Sequence, residues 1–179
     1  RYGYMFAGWS RNANGPVEFV DRAEATFSSD VVLYAQWKPI YTIAFSSNED
    51  GYDNLNTQEA VEGSPQRLAD NIFARTGFVF AGWATEPRGD VVYMEGSSIV
   101  AYSDMLLYAK WKKIKYKATF DANGGMGGTV KTQEYGSSLV APAVSRAGYD
   151  FLAWSPVVPT EMPASDTTYT AQWKIITIS

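Results

Sequence analysis

Cysteine and histidine are both absent from this chain of 179 residues. Without histidine there is no Ser-His-Asp triad and no histidine metal ligand, and without cysteine there is no thiol nucleophile, disulfide or zinc–thiolate site. A bound metal would need oxygen ligands, which favours calcium or magnesium. Any catalysis would fall to carboxylates, Lys, Tyr or Ser. The sequence contains no apolar run of about 18 residues, so it predicts no segment inserted in a membrane.

Basic charge is also scarce, because 15 Lys and Arg residues face 19 Asp and Glu residues and the net charge is −4. Proteins that bind nucleic acid usually carry a basic surface, so we expect no nucleic-acid partner. Apolar residues make up 46% of the chain, and its aromatic residues are 6 Trp, 12 Tyr and 9 Phe. This composition predicts a packed core rather than a disordered chain.

Two tryptophan motifs recur and divide the chain into repeats. The first occupies residues 3–9, 77–83 and 148–154, and it begins with a glycine and an aromatic residue. The second is a short alternating segment at residues 33–37, 107–111 and 169–173. We predict that residues 1–37 are the C-terminal half of a repeat, that 38–111 and 112–173 are complete repeats, and that 174–179 begin the next one. We therefore expect the chain to be a segment of a longer tandem array.

The periodicity of the second motif is two, which predicts strands rather than helices. An Asn-Gly step at Asn123 predicts a hairpin turn that leads to a strand near residues 129–135. The best helix signal begins at Ser64, with Pro65 in the first position and Leu68 and Ile72 four residues apart. The predicted fold class is mostly β (small α+β), with a twisted sheet and at most one short helix in each repeat.

The ordered set of motifs resembles the internalin B-repeat family, also called the Listeria–Bacteroides repeats. The matching pieces are Thr119-Phe120-Asp121-Ala122-Asn123-Gly124-Gly125, Tyr135-Gly136-Ser137-Ser138-Leu139, Gly77-Phe78-Val79-Phe80-Ala81-Gly82-Trp83 and Met162-Pro163-Ala164-Ser165-Asp166-Thr167-Thr168-Tyr169-Thr170-Ala171-Gln172-Trp173. The resemblance covers nearly the whole chain. It implies tandem β-grasp-like units that serve as stalk or adhesion modules in bacterial surface or secreted proteins, without enzyme activity.

Two stretches depart from the pattern of the family. The middle repeat has residues 46–51 where Asp-Ala-Asn-Gly-Gly is expected, which predicts a longer first hairpin. The third repeat has Ala153 in place of the glycine before its tryptophan, and Ser155 and Pro156 follow, so the next turn should differ from that of the other copies.

The six tryptophans are shared between copies, and we expect them to form the structural core. They are Trp9, Trp37, Trp83, Trp111, Trp154 and Trp173. The alternative is a platform on which sugars stack, which requires exposed rings. The outward positions Tyr34 and Tyr108 suit that alternative better, although surface tyrosines are ordinary on strands.

Two features are candidates for ligand binding. Arg88-Gly89-Asp90 occurs only in the middle repeat and matches an adhesion tripeptide, or it is a hairpin turn that happens to contain Gly-Asp. A basic run contains Lys110, Lys112, Lys113, Lys115 and Lys117. This run is suited to anionic wall polymers or glycosaminoglycans, or it is a linker between repeats and the solvated face of a strand.

The acidic residues offer little support for metal or catalytic chemistry. Glu49, Asp50 and Asp53 share one loop, and Asp121 begins a calcium-loop spacing that lacks its bidentate Glu, because Thr132 stands at position twelve. No nucleophile stands beside a base in the sequence. We predict no enzyme activity, no catalytic residue, no cofactor and no metal.

The sequence therefore predicts a stalk or spacer and adhesion-associated module on the surface of a bacterium, outside the cell. The alternative is a ligand-binding module that uses the lysine run, the Arg-Gly-Asp loop or exposed tyrosines. The expected partners are neighbouring repeats and a protein or glycan on the host or the cell wall. Short linkers at Lys38-Pro39 and Lys112-Lys113 should restrain successive repeats.

Overall fold

The computed structural model describes residues 1–49 and 53–177, and each helix or strand element that it assigns there is a β-strand. The strands are β1 (Tyr4–Ser10), β2 (Tyr34–Ser46), β3 (Leu55–Val61), β4 (Pro65–Arg67), β5 (Phe78–Ala84), β6 (Ser98–Val100), β7 (Met105–Lys113), β8 (Lys115–Asp121), β9 (Thr129–Glu134), β10 (Tyr149–Ser155) and β11 (Thr167–Ile175). The predicted mostly β fold class is confirmed, as is the strand after the Asn123 turn, which is β9.

The helix predicted from Ser64 is wrong. Residues Pro65–Arg67 form β4, which pairs antiparallel with β6, and the Leu68 N–H extends the ladder by donating to the Ser97 carbonyl. Leu68 is fully buried, but Ile72 is 69% exposed, so these residues do not form one apolar helical face. One helical turn here would have no apolar face to bury, so packing would not offset the free-energy cost of helix nucleation.

Two sheets share one strand order. In the first, β3 and β7 lie on either side of the second half of β2, and β5 lies beyond β7. In the second the order is β9-β8-β11-β10. The central pairs β2–β7 and β8–β11 are parallel, while each outer strand is antiparallel to its neighbour where a register is described. This arrangement, with the first and last strands of a repeat paired at the centre, is the β-grasp order that the resemblance implies.

Strand β2 belongs to two such arrangements at once. Its first half pairs with β1, from Tyr4 opposite Pro39 to Ser10 opposite Tyr34. Its second half begins the next sheet against β3 and β7. Lys38 and Pro39, expected in a linker, therefore lie inside an unbroken strand, and Lys112 and Lys113 lie inside β7.

Contacts divide the chain into two compact units, one of Arg1–Phe73 with Ala81–Lys110 and the other of Ala74–Phe80 with Trp111–Ser179. The core of the first contains Ile43, Phe45, Leu68, Trp83 and Leu107. The core of the second contains Ala118, Phe120, Leu139, Met162 and Tyr169. Among the residues that the structure describes, we find no helix with the length and apolar character needed to cross a bilayer.

Candidate functional site

A four-residue turn precedes the first strand of each tryptophan motif, and we call these the corner turns. They are Arg1–Tyr4, Arg75–Phe78 and Arg146–Tyr149. In each turn, the main-chain N–H of the aromatic residue donates to the main-chain carbonyl of the arginine, with N–O distances of 3.2, 3.0 and 3.1 Å. The third residue is glycine with φ of +71°, +80° and +78°, as a type II turn requires. The arginine Cζ lies 4.1, 4.3 and 4.1 Å from the centre of the aromatic ring, a cation–π contact that braces the turn.

Each corner turn bonds to the residue three positions after the closing tryptophan. The carbonyl of Gly3 accepts from the Ile40 N–H at 2.9 Å, that of Gly77 from Ile114 at 2.9 Å, and that of Gly148 from Ile176 at 3.0 Å. Since Ile40 and Ile114 stand where one repeat is predicted to pass into the next, these bonds lie at the joints between repeats.

The first joint lies in the first unit and is polar. The Glu62 N–H, just after β3, donates to the Pro39 carbonyl at 2.9 Å, and the Tyr41 hydroxyl donates to the Glu62 carboxylate at 3.1 Å. This bond to a carboxylate raises the pKa of Tyr41, and partial desolvation adds to the shift.

The second joint lies in the second unit and is aromatic. Tyr135 takes the place of Glu62, and its N–H donates to the Ile114 carbonyl at 2.9 Å. The Tyr135 ring meets the Phe78 ring edge-on, with centroids 5.9 Å apart. The ring also covers Gly77 so closely that a Cβ on that residue would lie 2.2 Å from it. Only glycine fits here, for its positive φ and for this contact.

A loop aspartate holds the parallel central strands of each sheet together. The carboxylate of Asp104, just before β7, accepts from the Thr42 N–H at 2.8 Å. That of Asp166, just before β11, accepts from the Lys117 N–H at 2.8 Å. The sequence analysis predicted this role for neither aspartate, although each stands immediately before a closing strand.

The predicted core tryptophans lie at different depths. Trp83 is 1% exposed, Trp37 is 37% exposed, and the other four are half-buried. Trp83 and Trp154 face the cores, 4.8 and 5.2 Å from Phe45 and Phe120. The closing tryptophans instead pack edge-on against a phenylalanine of the neighbouring strand, at 5.6, 5.8 and 5.6 Å. These pairs are Phe6–Trp37, Phe80–Trp111 and Phe151–Trp173. Tyr34 is exposed and Tyr108 is half-buried.

The Arg-Gly-Asp segment lies on the turn after β5. The Gly89 N–H donates to the Glu86 carbonyl at 3.1 Å, and Arg88 and Asp90 are both exposed. The base of the turn is fixed, because the Pro87 carbonyl accepts from Asn48 Nδ2 at 2.9 Å and from Lys110 Nζ at 3.5 Å.

The lysine run lies on β7 and β8. Lys112, Lys113, Lys115 and Lys117 are exposed, while Lys110 is half-buried. Lys115 stands opposite Glu134 in the antiparallel ladder, and the Asp166 carboxylate is held at the main chain of Lys117. These two acids reduce the positive potential of the run.

Two of the acidic residues considered for calcium have hydrogen-bond partners close to them in the sequence. Asp53 accepts hydrogen bonds from the Ser46 hydroxyl at 2.6 Å and the Asn48 N–H at 3.2 Å, and Asp121 accepts from the Asn123 N–H at 2.8 Å. Asp50 lies outside the described residues, as does part of the hairpin expected to be longer. Within residues 1–49 and 53–177, no three acidic side chains gather where they could hold a metal ion.

A surface pocket of about 480 Å³ lies beside the first joint, in the first unit. Its lining includes Arg1 and Tyr4 and the acidic residues Glu59 and Asp104. The Asp104 carboxylate is already engaged by Thr42, as described above.

The comparisons with known proteins agree with the recurrence of these features. The family model of the Listeria–Bacteroides repeat domain matches residues 1–36, 41–110 and 116–177. Two proteins of Evansella cellulosilytica are each 30% identical across 97% of this chain, one named "Putative Gly-rich membrane protein" and the other "Putative membrane protein". The chain spans 21% and 27% of their lengths. No solved structure matches the chain significantly. With matches along nearly its whole length, the chain belongs to the Listeria–Bacteroides repeat family.

Proposed function

We propose that the chain is a non-catalytic, load-bearing spacer within a bacterial cell-surface or secreted protein. The observation that carries this proposal is the construction of the joints. At the first, β2 continues unbroken from one sheet arrangement into the next, and at the second only Ile114 separates β7 from β8. Hydrogen bonds between main-chain groups on both sides of each joint oppose bending there.

A spacer needs a fixed relation between successive repeats, which spin labels can measure inside each unit. Labels at the exposed positions Val20 and Leu55 straddle the first joint, and labels at Val79 and Val130 straddle the second. We expect a narrow distance distribution for each pair. Inserting a six-residue Gly-Ser segment after Ile114 should broaden only the distance distribution of the Val79–Val130 pair. Broad distributions in the unmodified chain would reject the spacer proposal.

The exposed Arg88-Gly89-Asp90 turn supports a second candidate function, adhesion to a protein receptor. Its base is fixed by Asn48 while its two charged side chains point to solvent, so it presents a preorganised pair of opposite charges. Cell attachment should be lost in Asp90→Ala and kept in the matched variant Asp21→Ala, which also removes an exposed aspartate. Equal attachment by both variants would remove this candidate.

Binding to anionic polymers through the lysines is tested by the triple substitution Lys112→Gln, Lys113→Gln and Lys115→Gln. Salt-sensitive binding to a glycan array that disappears in this variant would show a ligand site beyond the spacer role. Unchanged binding, or none, favours the spacer, since Glu134 and Asp166 already reduce the local positive potential.

A further inference from the structure

In two of the three tryptophan motifs, an extended segment of the same chain covers the outer edge of the sheet. The Trp9 N–H donates to the Phe19 carbonyl at 2.8 Å, and the N–H groups of Glu18 and Phe19 donate back to the Trp9 carbonyl at 2.8 and 3.0 Å. The second copy repeats these bonds. The Trp83 N–H donates to the Tyr93 carbonyl at 2.8 Å, and the N–H groups of Val92 and Tyr93 donate to the Trp83 carbonyl at 2.8 and 3.0 Å. The covering tripeptides are Val17-Glu18-Phe19 and Val91-Val92-Tyr93, so both have a β-branched residue two positions before an aromatic one.

The glycine before each tryptophan permits this close approach. A Cβ on Gly8 would lie 2.4 Å from the Phe19 carbonyl oxygen, and one on Gly82 would lie 2.8 Å from that of Tyr93. Both glycines have φ near +140°, at +140° and +135°. Both copies therefore have the same arrangement, in which a glycine lets the covering segment pair with the tryptophan at the sheet edge.

In the third copy, β10 forms the same sheet edge, but no segment in the described part of the chain covers it at Trp154. The connection from Trp154 to β11 is about half as long as that from Trp9 to β2. Trp154 is paired with Ala171 as Trp9 is with Ala35, so its N–H and C=O point outward in the same way. In the described part of the chain, no backbone group bonds to them from that side. Apolar side chains are exposed here, with Leu152 at 59%, Phe151 at 40% and Val157 at 85%.

We propose that the outer edge of β10 accepts an extended segment of a partner polypeptide as an added antiparallel strand. The two covered copies identify the occupant, which is a segment with a β-branched residue two positions before Phe or Tyr. It would accept one hydrogen bond from the Trp154 N–H and donate two to the Trp154 carbonyl. Open sheet edges with exposed apolar residues are the sites at which such strand addition occurs.

The natural edge binds more weakly than the covered copies because Ala153 stands where they have glycine. Its methyl group limits how closely a strand can approach the bulge between Phe151 and Ala153. Ala153→Gly should therefore tighten binding of the same segment.

The probes are two peptides copied from the covers, residues 15–21 and residues 89–95. Each is titrated into the ¹⁵N-labelled chain of 179 residues while the Trp154 amide resonance is followed. We expect a saturable shift of that resonance. A Val92→Pro version of the second peptide lacks one donor to the carbonyl and should bind about tenfold more weakly. Ala153→Gly should bind both native peptides more tightly.

Three outcomes would overturn the proposal. One is the absence of a Trp154 shift with either native peptide, in the natural chain and in Ala153→Gly. Another is equal binding of the Val92→Pro peptide, which would mean that strand pairing is not involved. The last is a concentration-dependent Trp154 shift in the chain alone with no further change on adding peptide, which would assign the edge to a second copy of the chain.

Discussion

A methyl group added at Gly77 should disrupt the second joint, because its Cβ would lie 2.2 Å from the Tyr135 ring. The φ of +80° at this residue costs an alanine about 1–2 kcal/mol in any case. Displacing the ring adds an overpacking penalty of about 1–3 kcal/mol. We therefore expect Gly77→Ala to lower the free energy of unfolding of the second unit by about 2–5 kcal/mol.

Gly148→Ala is the matched control in the same unit. Gly148 has φ of +78° in the same kind of corner turn, but no heavy atom lies within 4 Å of its Cβ position. Gly148→Ala should lower the free energy of unfolding only by the cost of placing alanine at a positive φ, about 1–2 kcal/mol. Urea denaturation gives the free energies, and hydrogen exchange at the Tyr135 and Ile114 amides locates the loss at the joint. Equal destabilisation by the two variants would refute the reasoning.

A double-mutant cycle separates the ring contact from other effects of the Gly77 change. Tyr135→Ala alone removes the edge-on contact with Phe78, worth about 0.5–1.5 kcal/mol. Tyr135→Ala combined with Gly77→Ala also removes the clash, so the loss of unfolding free energy in the double variant should be smaller than the sum of the two single losses by about 1–3 kcal/mol. Strictly additive losses would contradict a direct contact.

Three further outcomes are expected. Leu107→Ala, at a fully buried position of β7, should lower the free energy of unfolding by about 2–5 kcal/mol in urea; a loss as small as that of an exposed residue would contradict its core position. The pKa of Tyr41 should lie above that of an ordinary tyrosine in an NMR titration and fall in Glu62→Gln. Stability from this raised pKa is present below the unfolded-state pKa and is lost as pH rises through the folded-state value. The pKa of Glu18 is lowered, mainly by its hydrogen bond from the Arg11 side chain at 2.6 Å; its contribution is present above the unfolded-state pKa and is lost as pH falls through the folded-state value. Arg11→Met should reduce this acid-side pH dependence of the denaturation midpoint, while the bonds from the residue 11 N–H and the Ser10 hydroxyl retain part of it.

Alternation in the second tryptophan motif was sufficient to predict the closing strands. Leu107 and Ala109 are both fully buried in β7, and the Asn123 turn connects β8 to β9 as expected. The false helix arose because a serine cap followed by proline is compatible with a turn of helix when read alone. The partner that decides the matter, β6, lies about 30 residues further along the chain, and local patterns carry no information about such pairing.

The joints could have been partly predicted. The corner turns recur three times in the sequence as arginine, any residue, glycine and an aromatic residue, but they were read only as the start of a tryptophan motif. Their bonds to the residues three positions after the closing tryptophans are long-range and leave no local pattern. The linker prediction at Lys38-Pro39 failed for a related reason, since proline at a strand position is read as a break although β2 continues through it.

The copies differ at their joints and at their sheet edges. Glu62 in one copy and Tyr135 in another each follow the second strand of the repeat, and their N–H groups donate to the main-chain carbonyls of Pro39 and Ile114. In the third copy the edge cover is lost and Ala153 replaces glycine, yet β10 keeps the register of β1. The parallel central pair, with its aspartate, is the same in both complete sheets. Because the central strands and their aspartate are kept while the joints and edges differ, the shared strand order does not depend on one particular joint or edge. A tandem array can therefore acquire a particular neighbour or partner strand at one repeat without altering how that repeat folds.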